Sequence, residues 1–370
     1  MGNNRPFKIL IIRMSSIGDI VLTFPFIRLL RKKFPEAQID FVVKKEYQEL
    51  IKSNKNVSNI FSFDSQKGFN ELKKLKGKIK KERYKYIFDI HRNLRSYYLR
   101  KFSKSKKVFL YKKYRIRRWL LINLKLNTFK GVVPVYKSYI NSAKKIGLVD
   151  DNEGFDFLID KSHLDKINEF LRKENISNDE YIVGICPGAG YERKCWTIDG
   201  FSKIGKFFAK EFNATIVILG DENDHEKGEM IREAVGNKVY NFCGELSIME
   251  SSALISKCNV IITNDNGLMH IAVALNKKLV AIFGATVEEF GYFPVNVNSV
   301  VVQKMLLCKP CSNNGWKECY KKNVECMRDI SPEDVKNACL NLIGDGEIKS
   351  KSEQIISEKW KNSGSSYIYG

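Results

Sequence analysis

The sequence predicts an α/β protein made of two doubly wound units, and three observations predict it. At 370 residues the chain exceeds what one ordinary core accommodates, and 44% hydrophobic residues are enough to bury two. An apolar, β-branched run at 8–13 is followed by a Ser/Gly/Asp turn, a stretch of helical periodicity over 20–34 and a second apolar run at 39–43. Strand, helix and strand at this spacing give a parallel sheet with right-handed crossovers. Beyond a polar stretch near 150–161, the same alternation begins again at Tyr181.

The elements follow in order. Pro35 closes the first helical stretch, because its ring cannot continue a helix. Further strands are expected at 60–63, 86–90 and 107–110. A helix over 163–173 leads into the second unit, where strands at 181–186, 215–219, 260–263 and 279–283 alternate with helices at 201–212, 249–256 and 268–275. Ser331 and Pro332 read as the N-cap and first residue of a helix reaching about Ile343. The Lys/Ser-rich tail beyond Gly346 reads as a loose amphipathic helix or as disordered chain. The domains expected are therefore an N-terminal Rossmann-like domain over 1–165, a C-terminal Rossmann-like domain over 175–330, and a helix with tail over 331–370. In open α/β sheets ligands bind beyond the carboxyl ends of the strands, so the chemistry is sought in the loops there.

Composition narrows the function classes. With 63 Lys and Arg against 42 Asp and Glu the net charge is +21, which draws the chain toward polyanions without choosing among them. Nine basic residues and no acidic one lie between Lys101 and Arg118, interleaved with Phe102, Phe109, Tyr111 and Tyr114 and followed by Trp119. A solvated lysine-rich face is one reading. An anionic membrane surface or sugar phosphate is the other, since aromatic residues beside basic ones suit a membrane interface. No nucleic-acid-binding signature accompanies the charge. No run approaches the roughly 18 apolar residues of a membrane span, and the apolar stretch at Ile9–Ile12 lacks a cleavage site, so the protein is expected to stay in the cytoplasm. None of the nine cysteines precedes Cys186, which argues for reduced thiols rather than a disulfide framework.

Three loops carry residues suited to chemistry. The turn Ser15-Ser16-Ile17-Gly18-Asp19 has one glycine and no P-loop lysine, so it is neither a dinucleotide nor a Walker fingerprint. Asp19 there is either a helix cap or a general base that takes a proton from an attacking hydroxyl. Cys186-Pro187-Gly188-Ala189-Gly190 follows a strand, and glycines at such a turn let backbone N–H groups approach a phosphate. Thr263-Asn264-Asp265-Asn266-Gly267-Leu268-Met269-His270 joins another strand to a helix, whose exposed N–H groups make an anion site. Together the last two suit a diphosphate. The plainer reading leaves Asp265 or Asn266 as a cap and His270 as a core histidine.

The run Ile9-Leu10-Ile11-Ile12-Arg13-Met14-Ser15-Ser16-Ile17-Gly18-Asp19-Ile20-Val21-Leu22-Thr23-Phe24-Pro25, with Asp265-Asn266-Gly267-Leu268-Met269-His270 far downstream, resembles the ADP-heptose:lipopolysaccharide heptosyltransferase family. Pro187-Gly188 and Lys194-Cys195-Trp196 stand between the two motifs, and the resemblance extends from about Phe7 to Val335. It implies a GT-B fold, two Rossmann-like domains facing a central cleft, and an inverting, metal-independent transfer from an ADP-sugar to the inner core of lipopolysaccharide, with no cofactor required. By matching motif positions, Asp19 becomes the base and Lys194 a catalytic partner of the donor phosphate. Gly188, Gly190, Glu222, Asp265, Asn266, Gly267 and His270 become donor-binding residues. Ser16, Gly18 and Arg95 fall on the acceptor side, Arg95 within His91-Arg92-Asn93-Leu94-Arg95-Ser96. Where relatives carry hydroxyl side chains in the first diphosphate loop this chain has Gly188, Ala189 and Gly190, so backbone contacts must replace them.

The mechanism expected is a direct displacement at the anomeric carbon, with Asp19 deprotonating the acceptor hydroxyl. The site of action is the cytoplasmic face of the inner membrane, in peripheral contact with anionic lipid. Another nucleotide-sugar-dependent transferase or an epimerase of the same architecture is the competing reading, and a basic nucleic-acid-binding protein with a zinc module is a more distant one. Cys308, Cys311, Cys319 and Cys326 have spacings open to three readings: a structural zinc, unligated thiols or disulfides. No metal enters the expected reaction.

Overall fold

The computed structural model describes residues 7–101, 103, 105, 107–177, 179–321 and 323–344, with the backbone of 367–369. They form two units: residues 7–114 with 133–158, and residues 115–132 with 159–344 and 367–369.

The first unit holds one five-stranded sheet of β1 (Lys8–Ile12), β2 (Gln38–Lys44), β3 (Asn59–Phe63), β4 (Tyr86–Asp89) and β5 (Lys107–Leu110). All neighbours are parallel, in the order β3-β2-β1-β4-β5. Ile9, Leu10, Ile11 and Ile12 of β1 are all buried, as expected of a strand covered on both faces, where an apolar run replaces alternation. The helix Gly68–Glu82 buries Leu72, Leu75 and Ile79. Their three- and four-residue steps make one apolar stripe, which packs with Leu10, Ile12, Val42, Phe63 and Ile87. The stretch read as one helix over 20–34 is two, Ile17–Val21 and Phe24–Lys33, divided near Pro25. Arg28 of the second of these is nearly buried and reaches Asp151 (2.6 Å), Asp156 (2.7 Å) and the carbonyl of Gly154 (2.8 Å), fastening residues 151–156 to the sheet's helical layer.

The second unit carries β6 (Ile182–Cys186), β7 (Thr215–Ile218), β8 (Val239–Asn241), β9 (Val260–Asn264), β10 (Lys278–Phe283), β11 (Ser299–Gln303) and β12 (Tyr367–Tyr369). Their order is β12-β11-β10-β9-β6-β7-β8, parallel except for β12, which pairs antiparallel with β11. Helices Ile198–Glu211, Ile248–Lys257 and Pro332–Ile343 begin on Thr197, Ser247 and Ser331, each of whose side chains accepts a hydrogen bond from a backbone N–H of the first turn. The helix foreseen from Ser331 and Pro332 matches, and Asp334 returns the bond to complete a capping box. Short β8 and the valine run of β11 escaped the sequence reading, since no helix of regular period separates β10 from β11. The tail expectation lies outside the described residues apart from 367–369, whose backbone is a strand rather than a helix.

Candidate functional site

Strand order decides which loops become neighbours. In the first unit the winding reverses between β1 and β4, so the loops after those two strands lie side by side at the switch point, where such sheets bind ligands. Arg13, at the end of β1, is 5% exposed. Its guanidinium donates to the carbonyls of Ser15 and Ile90, each at 2.9 Å, which joins the two loops. It also pairs with Asp19, whose carboxylate accepts a second hydrogen bond from the Tyr139 hydroxyl at 3.1 Å. Asp19 sits in the first turn of Ile17–Val21, but Arg13 and Tyr139, not only the helix end, hold its side chain.

Asp89, fully buried at the end of β4, organises the second loop. It accepts from the backbone N–H groups of His91 (3.2 Å) and Arg92 (2.8 Å), from the Ser96 hydroxyl (3.0 Å) and from Arg100 Nε (2.9 Å). The imidazole of His91 is held neutral: burial, then the charges of Arg13 and Lys113, push its pKa down to about 3. Its Nδ1 is buried without a hydrogen-bond partner. Ser16 is exposed with no cap bond from its hydroxyl, Gly18 is buried, and Arg95 is exposed with its guanidinium 5.7 Å from the centre of the Phe63 ring.

In the second unit the reversal falls between β9 and β6, and the two loops read as phosphate-binding are the ones brought together. Asn264 donates to the carbonyl of Pro187 at 2.6 Å, and Asn266 to that of Gly188 at 2.8 Å across 78 residues of chain. Asn266 Oδ1 also accepts from Met269 N (3.0 Å), capping the helix Gly267–Ala274. Asp265 is not a cap. It pairs with Lys194 at 2.6 Å and accepts from the Thr286 hydroxyl at 3.2 Å. His270 is buried, its ring 6.2 Å from that of Tyr292.

Gly188 and Gly190 differ. A side chain at Gly188 would collide with Asp224, its Cβ only 1.8 Å from Oδ2, whereas one at Gly190 would meet nothing within 4 Å. Glu222 is exposed on a one-turn helix after β7, while Asp224 in the same turn is buried under Gly188. Burial and the neighbouring Asp221 push the Asp224 carboxyl up from its ordinary value.

The sequence reading overlooked Arg13, Tyr139, Asp89 and Asp224. A charged residue ending a buried apolar strand was the available signal for Arg13 and for Asp89. Tyr139 gave none, because nothing local marks a tyrosine that meets Asp19 across 120 residues.

The family model for glycosyltransferase family 9 (heptosyltransferase) matches residues 72–321. Lipooligosaccharide heptosyltransferase 2 of Haemophilus influenzae is 25% identical over 298 residues, covering 76% of this chain and 85% of that one. Among solved structures, a family 9 glycosyl transferase from Veillonella parvula superposes with a TM-score of 0.76 at 22% identity, over 91% of this chain and 97% of that one. The Escherichia coli ADP-heptose lipopolysaccharide heptosyltransferase II gives 0.70 at 22%, over 91% and 98%. The fold is that of the GT-B glycosyltransferases, with two parallel-sheet α/β units as the sequence predicts.

Proposed function

We propose, from the premise that this chain belongs to glycosyltransferase family 9, the heptosyltransferases, that it moves a heptose from an ADP-heptose donor to the inner core of lipopolysaccharide with inversion. The observation that carries this reading is the meeting of Lys194 with Asp265 beside the clasped Pro187-Gly188 turn and the capped start of Gly267–Ala274. Backbone N–H groups at a turn and at a helix start, with one ammonium held beside them, suit a diphosphate. Names of the similar proteins support heptose and lipopolysaccharide as the sugar and the acceptor.

The reaction is a displacement at the anomeric carbon. The acceptor hydroxyl gives its proton to Asp19 as its oxygen attacks from the face opposite the diphosphate, and the bond to the diphosphate breaks. A carboxylate paired with a guanidinium is in the deprotonated form that a base needs, and Arg13 and Tyr139 fix its direction. His91, neutral and with a free Nδ1, is placed to accept from an acceptor hydroxyl in the same loop cluster. Negative charge growing on the leaving diphosphate is met by Lys194 and the N–H groups at Gly267 and Leu268. Glu222, Asn266 and His270 take the nucleotide and sugar hydroxyls, and Ser16, Gly18 and Arg95 the anionic acceptor. Substituting Asp19→Ala should lower turnover by about 10²–10⁴-fold while ADP binding persists. Near-normal turnover would remove Asp19 as the base.

The acceptor is membrane-borne, and peripheral contact with anionic lipid on the cytoplasmic side belongs to the same proposal. No helix among the described residues is long and apolar enough to cross a membrane. The helix Arg115–Leu124 instead exposes Ile116 (77%) and Trp119 (55%) beside Arg115, which suits shallow insertion among anionic headgroups. Co-sedimentation with phosphatidylglycerol vesicles, lost on replacing both apolar residues with serine, is the expected result. Equal binding to phosphatidylcholine vesicles would refute it.

A further inference from the structure

The irregular segment 304–321 follows β11, carries the free thiols Cys308, Cys311 and Cys319, and folds back onto the one-turn helix Glu192–Lys194. Its start is fastened from two sides. Lys125 Nζ donates to the carbonyls of Cys308 and Pro310, each at 2.8 Å, and Cys311 N donates to the carbonyl of Ala285 at 3.4 Å. Further along, the Arg193 guanidinium donates to the Trp316 carbonyl at 3.2 Å and pairs with Glu318 at 3.3 Å, while Asn314 Nδ2 donates to the Tyr191 hydroxyl at 3.4 Å.

Between these contacts lies Gly315, whose φ of +82° is in the left-handed region that favours glycine. Its N–H donates to the buried Ser312 hydroxyl at 2.7 Å, which closes a turn. A Cβ at Gly315 would lie 2.7 Å from Cγ and 2.8 Å from Cδ of Lys194. Carbon atoms in contact stand about 3.5–4.0 Å apart, so only a residue without a side chain lets the turn lie against the lysine stem. The far end of Lys194 is held as well. Its ammonium pairs with Asp265 Oδ2 at 2.6 Å, and that same oxygen accepts from the buried Thr286 hydroxyl at 3.2 Å. Thr286 follows Ala285, so one loop after β10 secures both the segment and the carboxylate.

We infer that Gly315 is a positioning residue for Lys194: the turn 312–315 lies against the lysine stem and directs its ammonium to Asp265 and to the donor diphosphate. The inference rests on the diphosphate reading of Lys194. A free lysine side chain samples many rotamers, and holding one of them before the donor arrives removes that cost from the reaction. A charge fixed in place needs no reorganisation as negative charge grows on the leaving group. The segment after β11 thereby acts on the transfer through one side chain, without itself touching the reacting atoms.

The test compares the full chain with Gly315→Ala, Lys194→Ala and the double variant, by turnover with ADP-heptose and by calorimetric titration with ADP. Gly315→Ala should lower kcat by about 10–10²-fold, since misplacing a reacting group by about 1 Å costs up to about 10²-fold. In the Lys194→Ala background, where stem and ammonium are both gone, the same substitution should change kcat and ADP affinity by less than about twofold. Gly344→Ala is the control for backbone strain: Gly344 has a φ of +79° and nothing within 4 Å of an added Cβ, so this variant should turn over like the wild type. If Gly315→Ala does not fold, Ser312→Ala, which removes the acceptor of the Gly315 N–H without adding a side chain, is read in the same cycle against the same outcomes. Equal kcat in Gly315→Ala and Gly344→Ala would overturn the inference. A loss of the same factor with and without the lysine would also overturn it, as the mark of a merely structural role. Full turnover by Lys194→Ala would instead strike the diphosphate reading, and the inference with it.

Discussion

An alanine at Gly188 tests whether the absent side chain there is what lets the turn after β6 close over Asp224. Its Cβ would lie 1.8 Å from Asp224 Oδ2, 2.2 Å from Cγ and 2.4 Å from Oδ1. An unstrained contact needs about 3.5 Å, so carboxyl or turn must move by roughly 1.7 Å. Neither moves cheaply. Asp224 is buried and accepts from Asp221 N at 3.3 Å, while the turn is held by Asn264 and Asn266. Overpacking of this kind costs about 1–3 kcal/mol. Asp224→Ala alone forfeits one partner of a capping box, about 1 kcal/mol. If the collision is the cause, the double variant should be more stable than the sum of the singles by about 1–2 kcal/mol. Urea denaturation of the four proteins measures that coupling, and calorimetric titration with ADP reports whether the turn has shifted. Gly188→Ala should weaken ADP about tenfold for each 1.4 kcal/mol of lost binding. Additive stabilities with unchanged ADP affinity would refute the reasoning.

Three further outcomes are expected. Lys194→Met should lower kcat by about 10²–10³-fold, as for loss of a preorganised charge, and a change under threefold in steady-state assays would discard its role at the diphosphate. His91 is neutral when folded, with a pKa near 3 against an ordinary 6.5, so the unfolded chain takes up a proton that the folded chain refuses. Its contribution is intact above about pH 6.5 and is lost as pH falls toward 3, reaching about 2 kcal/mol of destabilisation at pH 5. His91→Phe should flatten that part of the stability–pH curve, and an identical slope would contradict the neutral imidazole. Arg28→Ala removes the ion pairs to Asp151 and Asp156 and leaves Asp151 only the Glu153 N–H and the longer contact with Lys32, so it should cost about 2 kcal/mol in urea unfolding, whereas no measurable loss would mean that the cluster is solvated.

Much of the fold was legible because parallel strands buried on both faces are written as apolar β-branched runs, and their helices carry local start signals such as Ser331-Pro332. What went unread was either too short to show a period, as in β8, or not separated by a helix, as in β11. The split of 20–34 into two helices turns on Thr23 and Pro25, where helical periodicity continues through a backbone break.

By itself the sequence determined which loops follow strands and which of their residues are candidates for handling protons and phosphates: Asp19 in one, Gly188 and Lys194 in another, Asp265 and Asn266 in a third. Tertiary structure decided which of these meet. Sequence spacing does not encode strand order, and only the winding of β1 beside β4 sets Arg13, already paired with Asp19 in its own loop, against the Ile90 carbonyl. Likewise only β6 beside β9 brings Lys194 to Asp265, and only β7 on the other side of β6 sets Asp224 under Gly188. Side chains distant along the chain become partners when parallel crossovers reverse direction, because that reversal leaves the two strand-end loops adjacent with no helix between them.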